Sequence, residues 1–132
     1  MDWQAFAREF EEVTDARVEG SSDRWKAKFA AGGTFQDPVQ GPTTDYDAVI
    51  HLTHTATPDW HMRVTHVASA ERTAALEWVG EATLLGRVPI TVHGCSVIEV
   101  NDAGLITRWR DYMDLKSIES QAAGGFREAS AT

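Results

Sequence analysis

Alternation of apolar and polar residues in the second half of the chain constrains the fold more than any other feature. The alternation runs through residues 60–65, 72–83 and 105–113, and residues 88–100 are rich in β-branched side chains. A period of two places successive side chains on opposite faces of a strand. Gly86 and the Asn101–Gly104 segment supply turns between these runs. The second half therefore predicts four long antiparallel strands.

The first half has helical spacing instead. Apolar residues of segment 3–13 recur at intervals of three and four, which predicts an amphipathic first helix. Residues 20–23 offer an N-cap for a second helix that stops at Gly32–Gly33, and a short strand over 34–37 ends at Pro38. A turn at Gly41–Pro42 follows. Residues 44–47 resemble a capping box and open a third helix to about residue 55.

The order of these elements indicates an α+β fold. Helices on one face of a curved antiparallel sheet enclose a cone, and a cone leaves room for a ligand-sized cavity. We expect one domain over residues 1–123, with a short helix over 115–121, and a flexible C-terminal tail over residues 124–132 after Gly124–Gly125. No repeat or linker divides the chain.

Charge and cysteine content exclude several kinds of partner. The chain of 132 residues carries 12 Lys and Arg against 20 Asp and Glu, a net charge of −8. Binding to a phosphate backbone depends on clustered basic residues, so nucleic acid and anionic membranes are not expected partners. Cys95 is the single cysteine, the first residues predict no signal peptide, and no apolar run is long enough to predict a membrane-spanning helix. These features favour a cytoplasmic location.

Motifs in chain order carry a family resemblance: Phe35-Gln36-Asp37-Pro38 with Gly41-Pro42, Thr57-Pro58-Asp59-Trp60, Gly86, and the segment from Gly104 to Asp114. They cover nearly the whole chain, which resembles the nuclear transport factor 2-like superfamily and its SnoaL-like polyketide cyclase branch. Trp109-Arg110-Asp111-Tyr112 is also similar to limonene-epoxide hydrolase. The resemblance implies a cone-shaped fold, no metal or other cofactor, and a homodimer. Enzymes and plain binding proteins share this fold, so the fold leaves the chemistry open.

Asp111 is the main candidate for a catalytic residue. Alternation places it on one face of the last strand with Thr107, Trp109 and Met113. Burying a carboxylate among apolar groups is costly and raises its pKa, which suits proton transfer near neutral pH. SnoaL-like cyclases, by resemblance, place their acid/base Asp on the last strand. The alternative is a structural Asp111 that pairs with a neighbouring Arg.

Asp37 is the second candidate carboxylate, because Asp37-Pro38-Val39 resembles the segment with the general base of ketosteroid isomerase. Two carboxylates in one cavity can divide the acid and base roles between them. The alternative is that Asp37 ends a strand and caps a turn. That isomerase also needs a Tyr on the first helix and a protonated Asp near Ser96, and both are missing here.

Epoxide hydrolysis is disfavoured for a similar reason. Limonene-epoxide hydrolase, by resemblance, needs an Arg and a second Asp at positions that fall near Trp78 and Gly80. Phe35 and Asp37 also replace its water-holding Tyr and Asn. A cyclase needs only a positioned Asp and an apolar cavity that folds the substrate.

Aromatic residues and histidines complete the candidate site. Phe35, Trp78 and Trp109 are the predicted substrate contacts, and His93 beside Gly94 is a further candidate. His51 and His54 lie three apart on the third helix, but no Cys, Asp or Glu completes a metal site at recognisable spacing. Cys95 has no activating His beside it.

We therefore expect an enzyme that uses Asp111, assisted by Asp37, as general acid/base on a small hydrophobic carbonyl compound. The expected reaction is an aldol-type cyclisation or an isomerisation. A non-catalytic ligand-binding or accessory domain is the alternative, and an epoxide hydrolase is the weaker one. The enzyme hypothesis expects Asp111 to be unpaired in the cavity. The binding-domain hypothesis expects it to be neutralised by Arg63, Arg108 or Arg110.

Overall fold

The structure, a computed structural model, describes residues 1–131, with side chains described through residue 128. Within the described residues, four helices and six strands follow one another: α1 (Trp3–Val13), α2 (Ser21–Ala27), β1 (Phe29–Asp37), β2 (Gln40–Thr43), α3 (Tyr46–Ala56), β3 (His61–Ser69), β4 (Thr73–Leu84), β5 (Val88–Val100), β6 (Ile106–Met113) and α4 (Leu115–Ala131).

The six strands form one curved, unclosed sheet in the order β2-β1-β6-β5-β4-β3. The consecutive strands β3, β4, β5 and β6 pair with one another in antiparallel fashion, which confirms the four long antiparallel strands predicted from the alternation. β1 pairs with β6 in parallel, with Phe35 opposite Trp109 and Gln36 opposite Arg110. This α+β architecture confirms the predicted fold class.

One face of the sheet is buried against the helices. On β4 the alternate residues Ala74, Leu76, Trp78 and Ala82 are each at most 6% exposed, whereas Glu77 and its outward neighbours are not. The first helix covers this face with its apolar stripe, and Phe10 stacks on Trp109 with ring centroids 5.0 Å apart. The apolar stripe of the helix and the apolar face of the sheet thus pack into one core, as the sequence predicts.

Two glycines let tryptophan rings lie flat on neighbouring strands. A Cβ on Gly94 would come within 2.4 Å of the Trp78 ring, and one on Gly80 within 2.3 Å of the Trp60 ring. The two indoles meet edge to face, with centroids 5.7 Å apart. Any side chain at these glycines would displace a ring that forms part of the core.

The structure corrects the prediction between the second and third helices. α2 ends at Ala27, and Gly32–Gly33 lies within β1, where Gly32 has φ +74° and the register with β6 shifts. A glycine here makes a bulge in a strand rather than the end of a helix. The Gly41–Pro42 segment forms the short edge strand β2, where a proline costs no ladder hydrogen bond.

The C-terminal prediction also differs from the structure. α4 continues through Gly124 and Gly125 to Ala131, beyond the predicted short helix over 115–121 and into the predicted tail. Contacts outweigh the low helix propensity of glycine: Gly125 packs on Val88, and the guanidinium of Arg87 lies 5.1 Å from the Phe126 ring centroid. Of the predicted tail, Thr132 and the side chains from residue 129 onwards lie outside the described residues.

α4 is docked on the part of β5 that extends beyond β6. The Gln121 side chain accepts a hydrogen bond of 2.8 Å from the Thr91 N–H and donates one of 2.7 Å to its carbonyl. The amide thereby occupies the position of a missing strand. Within the described residues, no helix is long and apolar enough to cross a membrane.

Candidate functional site

The cone encloses a cavity of about 310 Å³ between the helices and the buried face of the sheet. Apolar side chains make up most of its wall. The charged groups among its described lining residues are Asp37 and Asp111, and His54 is the one further titratable side chain. The cavity therefore combines an apolar interior with two carboxylates.

Asp111 enters the cavity because it shares a face of β6 with Trp109 and Met113, which also line the wall. Its carboxylate Oδ1 accepts a hydrogen bond of 2.5 Å from Ser96 Oγ and one of 2.6 Å from Trp109 Nε1. Among the described residues, no group donates to Oδ2. One carboxylate oxygen is thus held by the protein, and the other is available to a ligand.

Asp111 has no cationic partner among the described residues. Arg108 and Arg110, its neighbours on β6, point to the opposite face and pair with Glu99, each at 3.3 Å. Arg63 is exposed and lies next to the cavity residue Met62 on β3, so alternation turns it away from the cavity. None of the three arginines neutralises Asp111, which excludes the ion-paired alternative.

The pKa of Asp111 reflects this environment. The pKa is raised from its usual value to about 6, and removal of the carboxyl group from water is the largest cause. Hydrogen bonds from Ser96 and Trp109 favour the carboxylate and lower the pKa, while the negative charge of Asp37 raises it. A carboxyl group with this pKa can both accept and return a proton near neutral pH.

Asp37 lies beside Asp111 on the neighbouring strand. The parallel register that places Gln36 opposite Arg110 brings the next residues, Asp37 and Asp111, to the same level and into the same cavity. The Asp37 carboxylate also caps its own turn, where its Oδ1 accepts hydrogen bonds from the Val39 and Gln40 N–H groups at 2.9 and 3.0 Å. Asp37 therefore has a structural contact and also acts on Asp111 through its charge.

The predicted aromatic contacts divide into two groups. Phe35 and Trp109 line the cavity. Trp78 lies behind the wall, 2% exposed, and its Nε1 donates a hydrogen bond of 2.9 Å to Ser96 Oγ. Alternation predicts its face correctly, but Gly94 lets the ring sink into the core. Trp25 and Trp60 supply the other aromatic walls of the cavity.

His93 lies away from the cavity. Its neighbour Val92 lines the wall, so alternation along β5 turns the exposed His93 to the outer face of the sheet. The prediction that His93 reaches the cavity is wrong, because the inner position beside it belongs to Gly94. Residues of α3 that the sequence did not single out, Val49, Ile50 and Leu52, complete the wall instead.

The remaining reactive groups form no second centre in the described part of the chain. His54 is exposed at the cavity mouth, 3.3 Å from Ser22 Oγ, and no three metal-ligating side chains cluster among the described residues. Burial, and then the charges of Glu77 and Asp111, raise the pKa of the Cys95 thiol. This environment disfavours the reactive thiolate.

Fold and site together define an α+β protein with a curved sheet and a carboxylate in an apolar cavity. A family model described as a SnoaL-like domain matches residues 7–109, and the chain belongs to this family. The matched segment includes Asp37 and ends at Trp109, so Asp111 lies just outside it.

Solved structures of the same fold are similar over most of the chain. A protein with a ketosteroid isomerase-like fold from Catenulispora acidiphila, in complex with trimethylamine, is 20% identical, with a TM-score of 0.74 over 87% of this chain and 92% of that one. A protein described as a SnoaL-like polyketide cyclase from Jannaschia sp. CCS1 is 14% identical, with a TM-score of 0.76 over 90% and 89%.

An LEH-like epoxide hydrolase of M. tuberculosis is 17% identical, with a TM-score of 0.71 over 95% of this chain and 94% of that one. At these identities the likeness establishes the fold and leaves the activity open. A comparison with curated proteins finds no match.

Proposed function

We propose that the protein is a cofactor-independent enzyme in which Asp111 is the general acid/base for a small hydrophobic carbonyl compound. One observation carries the proposal: the Asp111 carboxylate enters an apolar cavity with no cationic partner among the described residues, and burial raises its pKa to about 6. Carboxyl groups with this combination of burial and pKa are typical of acid/base catalysts.

The geometry supports a two-step proton transfer. Asp111 is mostly ionised at pH 7, so Oδ2 takes a proton from the carbon next to the substrate carbonyl and leaves an enolate. In an isomerisation, the protonated Asp111 returns this proton to another carbon of the substrate. In an aldol closure, the enolate carbon attacks a second carbonyl, and the alkoxide that forms takes the proton from Asp111.

Asp37 assists by its charge in this proposal. Its carboxylate stabilises the protonated form of Asp111 after the first step, because two neighbouring negative charges repel. Asp37 Oδ2 accepts only a long hydrogen bond of 3.4 Å from the Gln40 side chain. The turn contacts of Asp37 therefore leave its charge available to the cavity.

The cavity also indicates the charge of the substrate. Two carboxylates in an apolar wall repel anionic substrates and accept neutral or positively charged ones. A volume of about 310 Å³ is at the small end of ligand sites, and the aromatic side chains of Trp25, Phe35, Trp60 and Trp109 line it together with aliphatic ones. Trimethylamine bound to the Catenulispora protein of this fold agrees with a small substrate of this kind.

A non-catalytic ligand-binding domain is the second candidate. The observation in its favour is that both carboxylates take part in structural hydrogen bonds, Asp37 in its turn and Asp111 with Ser96 and Trp109. Epoxide hydrolysis has less support, since Trp78 and Gly80 stand near the positions where an Arg and an Asp would be needed. A homodimer and a cytoplasmic location stay predictions.

The turnover of the Asp111→Asn variant distinguishes the enzyme hypothesis from the binding-domain hypothesis. A panel of cyclisable diketones, isomerisable enones and epoxides is incubated with the wild-type protein, and any substrate found is assayed with Asp111→Asn and Asp37→Asn. Loss of a general acid/base lowers kcat by about 10²–10⁴-fold. We expect that loss for Asp111→Asn and a smaller one for Asp37→Asn. Unchanged turnover by Asp111→Asn would contradict the proposed role.

A further inference from the structure

Ser96 is a fully buried polar side chain in the middle of the apolar core. It is 0% exposed and lies on the inner face of β5, opposite Leu76 on β4 and Asp111 on β6. A hydroxyl in such a place is costly unless its hydrogen bonds are satisfied. Its partners therefore explain why a polar residue occupies this position.

The hydrogen bonds of Ser96 run in one direction. An indole N–H can only donate, so Trp78 Nε1 donates to Ser96 Oγ at 2.9 Å. The Ser96 proton is then directed to Asp111 Oδ1, 2.5 Å away. Trp109 Nε1 donates to the same oxygen at 2.6 Å. Two donors hold Oδ1, and the described residues offer none to Oδ2.

We infer that Trp78 and Ser96 form a buried relay that orients the Asp111 carboxylate and assigns Oδ2 as the oxygen that exchanges protons with the substrate. The inference rests on the proposed function of Asp111. Ser96 and Trp78 do not touch the substrate in this arrangement, because Ser96 is fully buried and Trp78 lies behind the cavity wall. They are positioning residues.

The relay works in both protonation states of Asp111. When Oδ2 carries the proton, Oδ1 is the carbonyl oxygen of the acid and still accepts from Ser96 and Trp109. Donors that need not reorient during the reaction save reorganisation energy at the moment of proton transfer. They also stabilise the ionised form, so the relay keeps Asp111 a base at neutral pH despite its burial.

Titration of Asp111 in relay variants tests the inference without a substrate. The side-chain carboxyl carbon of Asp111 is followed by carbon-13 NMR in the wild-type protein, Ser96→Ala, Trp78→Phe and the control Thr91→Ala. Removal of the Ser96 donor raises the Asp111 pKa by about one to two units, the usual strength of a hydrogen bond to a charged group. Trp78→Phe shifts the pKa in the same direction by less, because the Ser96 hydroxyl loses the donor that orients it.

Thr91 supplies the matched control, since it is an exposed hydroxyl residue on the same strand. Thr91→Ala leaves the Asp111 pKa at its wild-type value. An unchanged or lower pKa in Ser96→Ala overturns the relay. If Ser96→Ala does not fold, Ser96→Cys fills the site with a slightly larger side chain of the same shape, replaces the hydroxyl with a weak donor and carries the same expected upward shift.

The relay and the proposed function fail separately in this experiment. A raised wild-type pKa that Ser96→Ala does not change overturns the relay and leaves the acid/base proposal standing. A wild-type pKa at or below the usual value of about 3.9 contradicts the acid/base proposal. Even then, an upward shift in Ser96→Ala supports the hydrogen bond that defines the relay.

Discussion

Trp109 and Asp111 lie two residues apart on β6, and the indole Nε1 of Trp109 donates a hydrogen bond of 2.6 Å to Oδ1 of Asp111. Alternate residues of a strand share a face, so the ring and the carboxylate enter the same cavity. The ring also stacks on Phe10 of α1. The helix layer and the sheet together hold the donor that orients the carboxylate.

Replacing this donor raises the pKa of Asp111. Trp109→Phe keeps an aromatic ring for stacking on Phe10 but removes the N–H, and we expect an upward shift of about one unit in a carbon-13 titration. Trp3→Phe is the control, because the Trp3 N–H donates to the remote Ala70 carbonyl. The contact has no influence on Asp111 if both variants titrate like the wild type.

The buried carboxyl group of Asp111 makes the stability of the fold depend on pH, and the free energy of unfolding falls as the pH rises. Between about 3.8 and about 6 the carboxyl group is protonated in the folded chain and ionised in the unfolded chain, so unfolding releases a proton. The carboxyl group contributes its full stabilisation below its pKa in the unfolded chain. This contribution is lost as the pH rises to its pKa in the folded chain. The shift corresponds to about 3 kcal/mol in the free energy of unfolding.

Asp111→Asn removes this pH dependence. The asparagine can turn its carbonyl oxygen to Ser96 and Trp109 and retain both hydrogen bonds. Urea denaturation of both proteins from pH 4 to pH 7.5 is expected to show the wild type losing about 2–2.5 kcal/mol relative to the variant, because the unfolded carboxyl group is already partly ionised at pH 4. Parallel stability curves for the two proteins would argue that Asp111 is ordinarily solvated.

The charge of the cavity predicts a preference among ligands of equal shape. Choline, its neutral carbon isostere dimethylbutanol and the anion dimethylbutanoate are compared by calorimetry at pH 7.5. We expect the cation to bind at least about tenfold more tightly than the neutral compound and the anion to bind least, since a charge about 4 Å from a carboxylate is worth several kcal/mol near a protein surface.

One variant and one change of pH test whether the two carboxylates cause that preference. Asp37→Asn reduces the advantage of choline over the neutral isostere, and so does lowering the pH through about 6, where Asp111 becomes protonated. Equal binding of all three compounds to the wild type would show that the cavity does not discriminate charge.

The adjacent glycines of α4 differ in their surroundings and provide a matched pair. A Cβ on Gly124 meets no atom within 4 Å, whereas one on Gly125 would lie 2.2 Å from Val88 Cγ1. Gly124→Ala therefore stabilises the protein by up to about 1 kcal/mol through helix propensity. Gly125→Ala destabilises it by about 1–3 kcal/mol through overpacking, as measured by urea denaturation. Identical effects of the two substitutions would contradict the docking of α4 on β5.

Local patterns predict the four long strands β3 to β6 and the position of Asp111, because both depend on alternation alone. Alternation places Asp111 on the face of Trp109 and turns Arg108 and Arg110 away. The same rule applied to β5 puts Ser96 among the buried apolar residues, which was the available signal for its role. A lone polar residue on a buried strand face indicates a hydrogen-bond partner inside the core.

Local sequence patterns do not predict features that depend on contacts between distant segments of the chain. The bulge at Gly32 and the edge strand β2 depend on the pairing of β1 with its neighbours. The extension of α4 depends on Gly125 meeting Val88, which lies 37 residues earlier in the chain. The sinking of Trp78 into the core depends on Gly94 of the next strand. Each is a packing effect that overrides local propensity.

A carbon-13 titration of the Asp111 side-chain carboxyl group in the free wild-type protein shows whether this group is a buried acid/base. We expect a pKa of about 6, because the carboxylate is removed from water and faces Asp37 without a cationic partner among the described residues. A value at or below the usual 3.9 or so would mean that Asp111 is solvated or ion-paired. That result would contradict the acid/base role and favour a ligand-binding domain.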